Sequence, residues 1–445
     1  MFSHVSKLCF DMLSPKLNTR FKFDVNEDTY RFALETADFT RIKTAMDDSL
    51  RAIPADFSGS FAGVNLDNVR SIYRSVDWIA WLVHVIPTIV APLFHTREAT
   101  TGFIALSRNI QLSFQWSISE SEVKEIERCF KTWFDYLNTC FDSSSISRTV
   151  FRSNMHQLNH IPYMIRRMGP LRCYSARLLE SSIGIYKKRI RLSLNPGVNA
   201  GNVMETREMF SFLQSGGIID SSAYDLKDKS PFHWRVNTVK LGQVVKQTKE
   251  NHNYTIGGYL EKDWFKALSQ FLIRLTGNTS TVITSFQQHQ FVNISQKLWA
   301  NNQIYISDLC KSKNAASSRG GEYIMFTAIH KNRMFRPVEN WYVCKVLFFF
   351  DFTYQEDAPG SNFVFGELMK NHDVSPYSKA IPRVKRYDEA EQKQIVIFDA
   401  EDLLSAVGLV NAVDGSNNKY VIKTGGAFKV DMSSTAGSVG NIVFR

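Results

Sequence analysis

Residues 341–354 read WYVCKVLFFFDFTY, a run of aromatic and β-branched side chains with a single charge, Lys345, before Asp351. Such residues suit a pleated, buried surface better than a helix, so the stretch predicts a core strand. Its neighbours carry the same texture: STVITSFQQHQFV (280–292), EYIMFTAIH (322–330), QIVIFDAEDLLSAVGLV (394–410) and KYVIKT (419–424), punctuated by Gly, Asn and Asp. Together they predict a β-rich C-terminal domain over 279–445, a small barrel or sandwich. The sub-run VLFFFDF (346–352) could also serve as a base-stacking platform, but such platforms interleave basic residues. Here the nearby charges are Asp351, Glu356 and Asp357, which favours a buried strand.

Upstream the period changes. DNVRSIYRSVDWIAWLVHVI (67–86) places Val69, Ile72, Tyr73, Val76, Ile79 and Ala80 at three- and four-residue spacing, the mark of an amphipathic helix. In SISESEVKEIERCFKTWFDYLNTCF (117–141), Ser119 with Glu122 three residues on forms a capping box ahead of Val123, Ile126, Phe130, Phe134 and Leu137. The most apolar stretch, WIAWLVHVIPTIVAPLF (78–94), is interrupted by His84, Pro87 and Pro92 and predicts a buried helix ending near Pro87, with no membrane span or secretion signal. The predicted class is α+β: a helical domain over 1–150, a basic helical block over 151–205, a polar linker with a short helix over 206–278, and the β-rich remainder.

A chain of 445 residues with 44% hydrophobic and 13% aromatic content is long enough for two or three packed domains and too apolar for disorder. Its 53 Lys and Arg against 43 Asp and Glu leave a net charge of +10 and a pI near 9.2, a balance that favours a polyanionic partner. Six cysteines without a C-x-x-C pair suggest neither zinc ribbon nor disulfide framework and fit a reducing compartment.

Charge is concentrated in one place. Between residues 163 and 191 eight bases (Arg166, Arg167, Arg172, Arg177, Lys187, Lys188, Arg189 and Arg191) surround a single carboxylate, Glu180. On a helix, Glu180, Gly184, Lys187 and Arg191 share one face, and Leu179, Ile183, Tyr186 and Ile190 another, so the carboxylate points into a cationic stripe. An acid beside phosphate-binding bases is what a two-metal nuclease or strand transferase needs, since Mg²⁺ takes carboxylate and phosphate oxygens together. The plainer alternative is a Glu neutralised by Lys187 or Arg177 on a solvated helix. His156 and His160, four apart, could share a face as zinc ligands, although no third ligand is obvious and the intervening QLN lacks a metalloprotease Glu. KKRIR (187–191) and RVKR (383–386) are candidate nuclear import signals, each also readable as ordinary solvated charge.

The order MHQLNHIP (155–162), IRRMGPLR (165–172), ARLLESSIGIYKKRIR (176–191), NPGVNAGNVM (195–204) resembles the late block of CACTA (En/Spm-like) DDE transposases of fungal transposons. Residues 53–90 resemble the start of their helical insertion, and WYVCKVLFFFDF and VGLVNAV their β-rich tail. The likeness covers roughly residues 20–205 and, more loosely, 290–425. It implies that Glu180 stands as the third acid of the DDE set, that Met155 and His156 match the Met/Leu-His motif, and that Gly169 and Pro170 form the supporting turn. It implies too that 151–205 holds the last helix of an RNase H-like fold.

The two aspartates that precede the insertion in the family have no counterpart in the opening MFSHVSKLCFDMLSPKLNTR, where Asp11 is their only trace. The expected protein is therefore the C-terminal portion of a transposase. It binds double-stranded DNA in the nucleus through Arg166, Arg167, Arg172, Arg177, Lys187, Lys188 and Arg191, with a homodimer implied by resemblance, and it does not cut strands unaided. Mg²⁺ on Glu180 is expected only if partner acids are supplied. Two alternatives stay open: an active Mg²⁺-dependent enzyme pairing Glu180 with Asp11 or Asp24, and a non-catalytic protein-interaction scaffold.

Overall fold

The computed structural model describes residues 1–22, 33–55, 57, 59–64, 73–174, 183, 195–216, 240–241, 244–246, 261–276, 293–300, 303–310, 319–331, 336–352, 361–423, 426–433 and 442–443. Among these the chain is a mixed α+β protein in which a helical half packs on a curled, antiparallel half-barrel sheet.

The helical half starts with α1 (Phe2–Leu13), whose Phe10 is boxed edge-on by Phe39, Trp78 and Trp81 at ring separations of 5.5, 5.2 and 5.3 Å. Phe39 comes from α2 (Thr36–Ser49) and Trp78 from α3 (Ser75–Ala80). The chain then runs on through a π-helical stretch, Trp81–Val90, that carries Pro87 inside it. Of the 67–86 stretch, residues 67–72 lie outside the described residues; the described helix starts at Ser75 and does not end at Pro87. Proline lacks an N–H and crowds the carbonyl four residues back, and the wider π turn accommodates both defects. Ser75–Leu93 is long and apolar enough to cross a bilayer, with mean hydropathy 1.6, but 78% of it is buried inside the protein.

α4 (Arg97–Ser113) is capped by Thr96, whose hydroxyl accepts from the Ala99 N–H at 3.2 Å. α5 (Glu120–Asp142) begins at the Ser119–Glu122 capping box read from the sequence. The two helices share Phe103 and Trp133, 5.0 Å apart, and Asn109 donates to the Ile126 carbonyl at 3.0 Å. α6 (Ser153–Gln157) and α7 (Ile161–Met168) follow, then α8 (Pro196–Ser215).

The large sheet is organised around the quoted stretch. That stretch lies in the 16-residue strand Pro337–Phe352, which pairs with Tyr323–Lys331 along its first half and with Ser361–Leu368 along its second. Val346, Leu347, Phe348, Phe349 and Phe350 are each 1% exposed or less, so VLFFFDF is a core strand covered on both faces. Phe271 of α9 (Glu261–Thr276) covers one face, 5.2 Å from Phe363. A register shift between Val346 and Phe348, and another between Leu403 and Ser405 in the strand Leu403–Asn411, bend the sheet.

Among the strands that no quoted stretch covers are Ser361–Leu368, Lys370–Ser375 and Ser378–Lys385. RVKR begins inside the last of these, with Val384 buried and Arg383 bonded to Asp373 at 3.1 Å. In the region read as a linker, Lys240–Leu241 and Val244–Lys246 pair with Lys297–Ala300 and Asn293–Ser295. STVITSFQQHQFV lies outside the described residues.

The two halves share a core. Ile381, Val410, Tyr420 and Ile422 of the sheet pack in the same cluster as Phe10, Ile42, Trp81 and Ile86. Arg319 donates to the Phe57 and Gly59 carbonyls, and a Cβ on Gly320 would come within 2.1 Å of the Arg51 carbonyl, an approach only glycine allows. The stretch read as a β-rich domain over 279–445 thus contributes residues to a buried cluster that also holds helical side chains. The change of period marks a change of secondary structure, and the apolar residues on the sheet's outer face are covered by helices from the other half.

Candidate nucleic-acid interface

The basic block leaves the helical core at α6 and α7. Met155, Leu158, Ile161 and Ile165 are buried and pin the segment to α5, with the Trp133 Nε1–H reaching the Met155 sulfur at 3.3 Å. Met155 of the Met/Leu-His motif is therefore a packing residue. His156 is exposed beside His160, with their Nε2 atoms 3.3 Å apart. α7 ends at Gly169, whose φ of +81° is the left-handed region glycine favours and whose N–H bonds the Ile165 carbonyl at 2.8 Å. Pro170 follows and redirects the chain into the 3₁₀ turn Leu171–Tyr174.

The arginines of this segment differ in what holds them. Arg166 is clasped by two carboxylates of α5, Glu120 at 2.8 Å and Glu127. Hydrogen bonds to Glu127 and Glu120 raise its pKa, and its guanidinium in turn lowers those of Glu120 and Glu127. Its charge is largely met within the protein. Arg167 lies over the ring of Tyr163 at 5.6 Å; Arg172 lies over Trp116 at 4.6 Å and donates to the Phe114 carbonyl at 3.3 Å. Both rings are exposed, Tyr163 to 61% and Trp116 to 62%. Such an exposed ring with a guanidinium over it, as Tyr163 has in Arg167, offers charge to a phosphate and a flat face to a base. Neither ring stood out in the sequence; a tryptophan in the short polar loop FQWSIS, just before a capping box, was the available signal.

Arg177, Glu180, Lys187, Lys188 and Arg191 lie outside the described residues, and so does Asp24. Asp11, the other candidate partner acid, is 5% exposed and bonded to Arg20. Among the described residues no three His, Cys, Asp or Glu side chains converge as a metal-holding group, and all six cysteines are free thiols.

Comparison with protein-family models, with curated proteins and with solved structures finds no match to this chain.

Proposed function

We propose that the chain is a transposase-derived DNA-binding protein of the nucleus, with 151–205 contributing the last helix of an RNase H-like fold. The observation that carries this reading is the pair of exposed rings under arginines, Tyr163 with Arg167 and Trp116 with Arg172. They stand where the chain enters the basic segment that runs to Arg191. Phosphate contacts by such a surface supply affinity without sequence preference and weaken as salt rises. The chain is proposed not to cut strands unaided, and Asp11, one candidate partner acid for Glu180, is bonded to Arg20. The test is fluorescence anisotropy with duplex DNA. The triple variant Lys187→Ala, Lys188→Ala, Arg191→Ala should bind at least about tenfold more weakly, which is about 1.4 kcal/mol. Equal affinity would remove the basic segment from the interface. In parallel, plasmid nicking with Mg²⁺ that disappears in Glu180→Gln would replace the binding protein with the enzyme.

The scaffold reading is favoured by one feature, the exposed Val198, Met204, Met209 and Phe212 on α8. Apolar groups left at a surface mark contact sites, here for a second copy of the chain. Sedimentation showing a dimer in the wild type and a monomer in Phe212→Ser would support it, and a monomer in both would dismiss it.

A further inference from the structure

We infer that His156 and His160 form a binding site for a tetrahedral divalent transition-metal ion, Zn²⁺ above all. The inference is independent of DNA binding. Two zinc-bound nitrogens at about 2.05 Å, spread by the tetrahedral angle, stand about 3.3 Å apart, whereas a right-angled planar or octahedral pair stands about 2.9 Å apart. The two Nε2 atoms are 3.3 Å apart.

The rings are presented to solvent by a rigid backbone. Buried Met155, Leu158 and Ile161 hold the segment from below, and the His156 N–H bonds the Arg152 carbonyl at 3.0 Å. Little ordering cost therefore remains for the ligands. Without metal, one Nε2–H donates to the other Nε2. When the ion enters, that proton moves to the Nδ1 of its own ring through solvent, leaving both Nε2 lone pairs for the metal. Among the described residues no third side chain joins the pair, so water fills the remaining positions and the site stays open to exchange.

The test is calorimetric titration of the full chain with Zn²⁺, and titration with Co²⁺ followed by its visible absorption, for wild type, His156→Gln, His160→Gln and the double variant. Both side chains are exposed, and circular dichroism checks that each variant folds. The expected result is one equivalent of metal in the wild type that each single variant weakens at least about tenfold and the double variant loses. A Co²⁺ complex with the intense absorption of tetrahedral geometry should accompany it. A double variant that binds the same number of ions with the same affinity as the wild type, or a wild type that binds none, would overturn the site.

Discussion

His372 accepts the Val343 N–H on its Nε2 at 3.0 Å, between the rings of Trp341 and Tyr342. Accepting that bond requires a neutral ring, and burial pushes its pKa down to about 4. The unfolded chain takes up this proton near pH 6.5 and the folded chain only near 4. Stability from this group is complete above about 6.5, falls as pH drops towards about 4, and levels off below, on the order of 3 kcal/mol in all. Urea unfolding across that window should show a steeper loss for the wild type than for His372→Gln, and parallel curves would contradict the assignment. Arg108 poses a different problem: its guanidinium, 9% exposed, holds Glu125 at 2.8 Å and the Phe428 carbonyl at 2.7 Å. Arg108→Met strands a buried carboxylate and should cost about 3–5 kcal/mol, most of it recovered by adding Glu125→Leu. Chemical denaturation of the single and double variants measures this coupling. Neither residue announced itself in the sequence, because a buried polar group is defined by what folds over it from far along the chain.

At the level of elements, what was legible was local. The Ser119–Glu122 box fixes the start of α5 through bonds within four residues, and Ser119→Ala should cost about 1 kcal/mol in denaturant unfolding. The helix through Pro87 was not legible, since its continuation depends on a partner. Pro87 cannot donate to the Val83 carbonyl, and besides the π-helical backbone the Gln111 side chain of α4 donates to that oxygen. Gln111→Leu removes this cross-helix donor and should lower stability by about 1 kcal/mol in the same measurement. No change would mean that the Ser107 hydroxyl, 3.5 Å from the same oxygen, suffices. The central strand was visible because both its faces are apolar. Lys370–Ser375 and Ser378–Lys385 were not, because they bury only part of their length and carry Asn371, Asp373 and Pro382 among few apolar residues. Their place comes from pairing with each other and with Asn418–Lys423.

Across the whole molecule, sequence period separated helical from β regions but not one core from another. Ile381, Val410, Tyr420 and Ile422 face the helices, so residues 280–445 expressed alone should bind a hydrophobic dye and give poorly dispersed amide signals. Sharp dispersion without dye binding would show that the shared core is dispensable. The candidate interface was legible as a charge cluster but not as a surface. Arg166 turned out to be matched by Glu120 and Glu127, and the exposed rings of Trp116 and Tyr163 were unforeseen. The central claim, that this surface binds DNA, is tested most directly by the salt dependence of duplex affinity in the full chain. Log affinity should fall linearly with log salt at a slope of about 0.9 per phosphate contacted, and Arg167→Ala with Arg172→Ala should make the slope shallower by about 1–2. Absence of binding at low salt, or a slope that the two substitutions leave unchanged, would contradict it.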